Sequence, residues 1–283
     1  FSHSFPTRRS SDLCERERCP YAILGEATDV RELVVNDPLL NIKGDQQPVD
    51  MPLQVLLGGT PKMQRSFSRS TPTLQALNLD KVDLAEAVKD VLRHPTVASK
   101  SFLISIGDRS ITGMVVRDQY VGRYQVPVAD CAVTASALIP VDGKPMTGEA
   151  MSMGERTPVA LINPAASARL AVAEAITNIA GANIAKLSDI TLSANWMAAC
   201  GEDKEDQALF DAVYAVGEAL CPALGIAIPV GKDSLSMRAN WSDEQANKSV
   251  VSPMSLVITA FAPVQDVTKT LTPELLTSSA LGE

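Results

Sequence analysis

The chain has 283 residues, of which 46% are hydrophobic and 20% charged, and its formal net charge is -8 with a pI near 4.9. This length and composition fit one large globular domain or two smaller ones. The negative charge argues against a general nucleic-acid binder, because phosphate backbones attract clustered Lys and Arg. No apolar run approaches the roughly 20 residues that cross a bilayer, and the start lacks the apolar core of a signal peptide. We therefore expect a cytoplasmic protein with no nucleic-acid or membrane partner.

The start of the chain differs in character from the rest. Residues 1–13, FSHSFPTRRSSDL, are basic and rich in serine, and we interpret them as a non-native scar similar to a translated sequencing adapter. An ordinary disordered tail is the alternative. Residues 14–58 contain the strand-like runs CPYAILGEA and RELVVND and one more apolar segment, too little for a core of their own. Residues 59–81 are rich in Gly, Pro, Ser and Thr, which predicts a linker.

A folded domain is expected over residues 82–263. Its first helix is predicted over Val82–Arg93, with Asp83 and Glu86 as a capping box. The β-rich runs SFLISI and ITGMVV predict a hairpin, and CAVTASALI predicts a further strand. The segment GEAMSMGER suits a short helix, and PVALIN suits a buried strand.

The clearest helix is predicted over Pro164–Ala180, with Asn163 as N-cap and Gly181 beyond its end. A strand, ITLSANW, and a second amphipathic helix over Glu205–Leu220 follow. The chain then continues with the strand GIAIPV, the turn GKDS and the strand MSLVITAFA. Strands that come first in a hairpin and later alternate with helices indicate an α+β fold, with a sheet covered on one face.

Three residues of this domain offer hard oxygen ligands. Asp130 ends the segment DQYVGRYQVPVAD, and Glu174 and Asn178 lie four positions apart on one face of the predicted helix. Mg²⁺ prefers such oxygens and shares phosphate oxygens with them. From spacing alone, a solvated polar face remains the stronger interpretation. The segment VGKDSLSM offers Lys232 and Asp233 for a phosphate, with a simple β-turn as the alternative.

Nucleophilic catalysis finds little support. The sequence has two histidines, His3 and His94, and neither completes a Ser/His/Asp or Cys/His arrangement. The five cysteines are scattered and lack the spacing of metal ligands, which fits a reduced compartment. We predict no catalytic residue in this chain.

Six segments together resemble a known family: RDQYVGRYQVPVADCAVTAS, GEAMSMGERTPVAL, AASARLAVAEAITNIA, KLSDITLSANWM, ALCPALGIAIPVGKDSLSM and TAFAPVQDVTKTLTPEL. They are similar to the large, single-chain phosphoribosylformylglycinamidine synthase of purine biosynthesis, from Cys19 to about Leu275. The resemblance implies a fold also seen in aminoimidazole ribonucleotide synthetase, in which a strand-rich A lobe precedes an α/β lobe. Residues 14–58 would end the first α/β lobe, 82–263 would form the second A lobe, and 264–283 would begin the next lobe.

The resemblance also implies an activity. The family is a C–N ligase with glutamine as amido donor, and it converts formylglycinamide ribonucleotide to the amidine with ATP. Its motifs place Ala129 at a nucleotide and Asp130, Glu174 and Asn178 at Mg²⁺, in an auxiliary and largely structural ATP or ADP site. Implied partners are the other synthetase lobes and a glutaminase domain. Within the family, the two A lobes pair their strands into a barrel.

We accordingly expect a fragment of this synthase that is inactive on its own. A free-standing nucleotide-binding or scaffold module of the same superfamily, dimerising through its sheet, is the alternative. Another enzyme of the superfamily is a third hypothesis, and the VPVAD, EAxTN and SANWM segments argue against it.

Overall fold

The computed structural model describes residues 7–40, 47–59, 64–71, 73–107, 109–111, 113–243 and 246–275. Its internal contacts divide the chain into two units, 1–64 and 65–283, and the division falls inside the predicted linker. Residues 1–6 of the predicted scar and 276–283 of the segment assigned to a following lobe lie outside the described residues. None of the helices in the described ranges is long and apolar enough to span a membrane.

The first unit contains two short helices and one β-ribbon. Helix α1 spans Thr7–Arg16, strand β1 (Glu32–Val35) pairs antiparallel with β2 (Val49–Pro52), and α2 spans Leu53–Leu57. The run RELVVND thus forms a strand as predicted, whereas CPYAILGEA does not. All four residues of β1 are exposed, so this ribbon buries little apolar surface and is marginal by itself.

The second unit begins with two helices. Helix α3 spans Leu84–Arg93, and the Asp83 carboxylate accepts a 2.9 Å hydrogen bond from Glu86 N, as the capping pattern predicted. Helix α4 (Ser101–Ile106) replaces the predicted first strand of a hairpin, and ITGMVV supplies only an isolated bridge from Val115 to Thr134. The hairpin prediction was wrong because a six-residue apolar run has no periodicity that separates strand from helix.

A five-stranded mixed sheet organises the rest of the second unit. Its strands are β3 (Ala132–Ala135), β4 (Gly148–Glu155), β5 (Thr191–Met197), β6 (Ala227–Ser234) and β9 (Ser255–Val264), in the order β3-β4-β9-β5-β6. Neighbours are antiparallel except β5 and β6, which are parallel. A separate hairpin joins β7 (Arg238–Ser242) to β8 (Asn247–Val251).

Helices cover one face of this sheet. They are α5 (Thr157–Ala160), α6 (Pro164–Ile179) and α7 (Asp203–Val213), which continues as a π-helical stretch over Tyr214–Leu220 and then as α8 (Cys221–Leu224). Strands β4, β5 and β9 alternate in burial, as expected for a sheet with one packed face. Buried residues on this face include Ala150, Ser152, Leu192, Ala194, Leu256, Ile258, Ala260 and Ala262. The predicted α+β class with one covered face is therefore confirmed.

Three local predictions within this layer were wrong. The segment predicted as a short helix, GEAMSMGER, is strand β4, whose buried positions are occupied by the small residues Gly148, Ala150, Ser152 and Gly154. PVALIN contains a Pro near the first turn of α5 and is helical where a strand was predicted. The predicted turn GKDS belongs to β6, because Lys232 and Asp233 pair with Asn195 and Trp196 of β5.

The segment 65–70, here named the α7 strap, lies along α7. The Gln207 side chain accepts from Ser70 N at 2.8 Å and donates to Ser70 O at 3.1 Å. Arg69 pairs with Asp211 at 3.1 Å, and the Phe67 ring lies 5.7 Å from that of Phe210. Phe210 is 51% exposed and meets the strap on the outer side of the helix.

Candidate functional site

Two of the predicted ligands, Glu174 and Asn178, are fixed to strand β4. Their helix begins at the predicted N-cap, where Asn163 Oδ1 accepts from Ala166 N at 2.9 Å. The Glu174 carboxylate accepts a 2.8 Å hydrogen bond from Glu155 N. Asn178 Nδ2 donates to Met153 O at 2.9 Å. The backbone of β4 thus orients the side chains of both Glu174 and Asn178. Both contacts lie at the end where β4 extends beyond its pairing with β3.

A close approach of α6 to β4 makes these contacts possible. A Cβ atom on Gly154 would lie only 2.1 Å from Ala171 O and 2.5 Å from Ala175 N. Two residues earlier, the buried Ser152 Oγ donates to Ala175 O at 2.6 Å. Because only small side chains stand between the strand and the helix, the Glu174 carboxylate can reach the strand backbone.

Asp130 lies at the same edge of the sheet, two residues before β3 begins. Ala129 N donates to Gln119 O at 2.8 Å, which fixes the loop just ahead of it. The Asp130 residue is exposed. The sulfur of the adjacent Cys131 lies 3.7 Å from the position that a Gly181 Cβ would take, just beyond the end of α6. The start of β3 therefore adjoins the C-terminal end of the helix that carries Asn178.

Cysteine thiols in this region are held in their protonated form. Burial, and then the charge of Asp130, raises the pKa of Cys131. Burial also raises the pKa of Cys221 and is the leading cause of the raised pKa of Cys200. A protonated thiol is a poor nucleophile and a poor metal ligand.

The Glu174 carboxylate also meets a positive charge. Arg156 Nη1 lies 2.6 Å from it and 2.7 Å from the Glu155 carbonyl oxygen. The Glu155 carboxylate turns the other way and accepts from both the N–H and the hydroxyl of Thr157 at 3.0 Å. The end of β4 and the start of α5 thereby form a continuous polar network around Glu174.

The chemistry of these side chains fits a hard cation. Asp130 and Glu174 supply carboxylate oxygens and Asn178 an amide oxygen, and the Glu174 carboxylate already neutralises a positive group. Within the described ranges, no three or more His, Cys, Asp or Glu side chains are grouped to hold a metal ion. A magnesium ion here would therefore complete its shell with amide, phosphate and water oxygens, as Mg²⁺ usually does.

The structure does not bring Lys232 and Asp233 to this site. They lie on β6, at the opposite edge of the sheet from β3, with β9 and β5 between β6 and β4. Three strand spacings from β4 to β6 amount to about 14 Å. Any phosphate that these residues contact would be a different one from a phosphate at Asp130.

Arg156 and Gly154 were missed by the sequence reasoning. Both stand in GEAMSMGER, a segment interpreted as a helix because its buried positions are small and give no apolar alternation. The available signal was the charged pair Glu155 and Arg156 directly before a Pro-containing first helical turn. Binding residues often lie on the segments that connect strands to helices, and this pair lies at such a connection.

Comparisons with known proteins identify the family and the fold of this chain. The model of the FGAR-AT PurM_N-like domain family matches residues 99–263. Phosphoribosylformylglycinamidine synthase II from Thermotoga maritima is similar in structure, with 16% identity, a TM-score of 0.53, and coverage of 95% of this chain and 38% of that one. T. maritima PurL complexed with ATP gives 16% identity, a TM-score of 0.50, and coverage of 94% and 37%. T. maritima PurL complexed with FGAR gives 15% identity, a TM-score of 0.51, and coverage of 94% of this chain and 36% of that one.

At 15–16% sequence identity, these structural similarities establish the fold alone. The chain spans between 36% and 38% of the length of the three solved chains. The family match, by contrast, extends over more than half of this sequence and includes Asp130, Glu174 and Asn178. The predicted relation to phosphoribosylformylglycinamidine synthase is confirmed, and the chain belongs to the FGAR-AT PurM_N-like domain family.

Proposed function

We propose that this chain is part of a phosphoribosylformylglycinamidine synthase and supplies its auxiliary magnesium and nucleotide site. Asp130, Glu174 and Asn178 would hold Mg²⁺, and Ala129 would contact ATP or ADP. The carrying observation is that β4 backbone groups orient both Glu174 and Asn178 at the edge where Asp130 precedes β3. The solved PurL complex with ATP supports a nucleotide as the ligand class.

Each residue has a definable part in binding. When present, Mg²⁺ would neutralise phosphate charge. Glu155 N holds one carboxylate oxygen of Glu174 and so fixes the direction of the other. Asn178 donates its amide N–H to Met153 O, which leaves the amide oxygen as the ligand. Since the Ala129 N–H is used by Gln119 O, a nucleotide would meet the carbonyl or methyl group of Ala129.

The proposed parent reaction is the ATP-dependent replacement of the amide oxygen of formylglycinamide ribonucleotide by ammonia from glutamine. It belongs to purine biosynthesis and forms a C–N bond. The PurL complex with FGAR supports this substrate class. In this chain the described cysteines with shifted pKa values are protonated, and the single histidine outside the predicted scar, His94, caps α3. We expect no amidine from the purified chain, and product formation would overturn that assignment.

The uncovered face of the sheet supports a partner lobe. Met151 is 41% exposed, Met153 58% and Phe261 39%, and all three project from the face opposite the helices. Large apolar side chains grouped on an exposed sheet face are typical of an interface. We propose that a second synthetase lobe covers this face, and that the glutaminase domain completes the enzyme.

The same face keeps the scaffold-module alternative open. A free-standing nucleotide-binding module would cover Met151, Met153 and Phe261 with a second copy of the chain. Light scattering after size exclusion measures the molar mass in solution and so distinguishes the two hypotheses. A homodimer that retains ADP favours the module, whereas a monomer favours a partner lobe.

The test of the nucleotide site is calorimetric titration of ADP with Mg²⁺ into the folded chain. Asp130→Ala should abolish binding, because it removes a carboxylate from the proposed magnesium shell. Asp142→Ala, which removes an equally exposed carboxylate in the turn after β3, should leave binding unchanged. A wild-type chain that is folded by circular dichroism and yields no binding heat would refute the site.

A further inference from the structure

The Glu174 carboxylate contacts the guanidinium group of Arg156, which is not one of the proposed ligands. Arg156 Nη1 lies 2.6 Å from this carboxylate, with the Arg156 side chain 46% exposed and that of Glu174 24% exposed. The pair therefore reaches solvent on the arginine side. An ion pair of this exposure is weak enough to open when another charge competes for either partner.

The backbone of Arg156 is anchored, whereas its side chain is half-exposed. Its carbonyl oxygen accepts a 2.6 Å hydrogen bond from Ser167 Oγ, and Ser167 is 1% exposed in α6. Its guanidinium contacts Glu174 and the Glu155 carbonyl, both at the rim of the site. The backbone anchor thus keeps Arg156 beside the site while its charged end can turn from one partner to another.

A divalent ion at Glu174 conflicts with this arrangement. A divalent cation and a guanidinium group at hydrogen-bond distance from one carboxylate repel each other. Arg156 Nη1 lies 2.6 Å from both carboxylate oxygens, so a metal ion that binds Glu174 competes with the guanidinium group for the same atoms. A nucleotide phosphate offers it a new partner, because the planar guanidinium fork matches phosphate oxygens.

We propose that Arg156 is a positioning residue that exchanges Glu174 for a nucleotide phosphate. In the ligand-free site it neutralises Glu174 and opposes binding of a bare divalent ion. When metal and nucleotide arrive together, Arg156 moves to the phosphate and Glu174 is released to the metal. This inference rests on the proposed nucleotide site and adds to it a reason why metal and nucleotide bind as a pair.

The proposal predicts effects of opposite sign. Arg156→Gln frees the Glu174 carboxylate, so Mn²⁺ alone should bind about two- to fivefold more tightly, the range expected from losing a half-exposed ion pair. The factor by which ADP strengthens Mn²⁺ binding should fall, since the phosphate partner is gone. A residue that merely supports the fold would weaken both kinds of binding.

The experiment is a titration of Mn²⁺ into the full chain, with free Mn²⁺ followed by electron paramagnetic resonance, in the absence and presence of ADP. Arg169→Gln serves as the control, because it removes an exposed arginine from the same helix that carries Glu174. Arg156→Lys keeps the charge without the fork, so Mn²⁺ alone should bind as in wild type while the ADP effect falls. This variant carries the test if Arg156→Gln loses its circular dichroism spectrum.

The possible outcomes distinguish failure of the Arg156 exchange from failure of the nucleotide site. Tighter Mn²⁺ binding with a reduced ADP effect in Arg156→Gln, and neither change in Arg169→Gln, supports the exchange. Weaker or unchanged Mn²⁺ binding in folded Arg156→Gln overturns it while the nucleotide site stands. A folded wild-type chain that binds no Mn²⁺ even with ADP overturns the nucleotide site, and the exchange falls with it.

Discussion

The contact between α6 and β4 predicts that Gly154 tolerates no side chain. In Gly154→Ala the new methyl carbon would lie 2.1 Å from Ala171 O and 2.5 Å from Ala175 N. Ordinary carbon contacts lie at about 3.5–4 Å, so the helix would have to retreat by about 1 Å or more. Both obstructing atoms belong to the backbone of a packed helix and cannot rotate away. Overpacking of this kind costs about 1–3 kcal/mol, and we expect a value near the upper end.

Urea unfolding and thermal melting, both followed by circular dichroism, measure this cost. For a unit of this size, about 3 kcal/mol corresponds to a fall in melting temperature of roughly 6–12 °C. Gly217→Ala is the matched control, because nothing lies within 4 Å of the position of its Cβ in the π-helical stretch. The free energy of unfolding of that variant should be at least that of wild type, with a gain of up to about 0.4–1 kcal/mol. If Gly154→Ala and Gly217→Ala have the same melting temperature, the close approach of strand and helix is refuted.

Three further predictions concern the helices. Asn163→Ala should lower the free energy of unfolding by about 1 kcal/mol in urea titrations, while Asn163→Asp retains the cap and should stay near wild type; equal losses would argue against capping. Gln207→Ala should free the α7 strap, seen as faster tryptic cleavage after Arg65 and Arg69, and unchanged cleavage would mean that other contacts hold it. Burial raises the pKa of Glu205, so its folded form keeps a proton to higher pH than the unfolded form and stability falls as pH rises through that window. Glu205→Gln should therefore be more stable than wild type at neutral pH, by less than about 1 kcal/mol at this exposure, with the gap closing in acid; a constant gap would refute the assignment.

Elements with their own local signals were predictable from the sequence. The Asn163 cap and following proline located the start of α6, and the Asp83 cap located α3. Strands β5 and β9 contain apolar residues at alternate positions, and both were found. In each case the information lies within about ten residues, so no knowledge of the partner element was required.

Errors occurred where tertiary contacts decide the local structure. SFLISI is apolar at nearly every position, so its helical state in α4 depends on surroundings that the sequence does not display. Phe210 has the character of a core residue, yet the core side of this helix is filled by Ala208 and Ala212 of α7 and by Val216 of the π-helical stretch. Small residues take the inner positions because the helix packs closely on its neighbours, and the phenyl ring is left to the strap.

The misassigned strand β4 and the missed arginine have one cause. A helix that approaches a strand closely requires small residues on the strand, and Gly148, Ala150, Ser152 and Gly154 remove the apolar alternation by which a strand is recognised. The same closeness allows Glu155 N to hold Glu174 and Met153 O to hold Asn178. The residues that hide β4 in the sequence are thus those that build the candidate site.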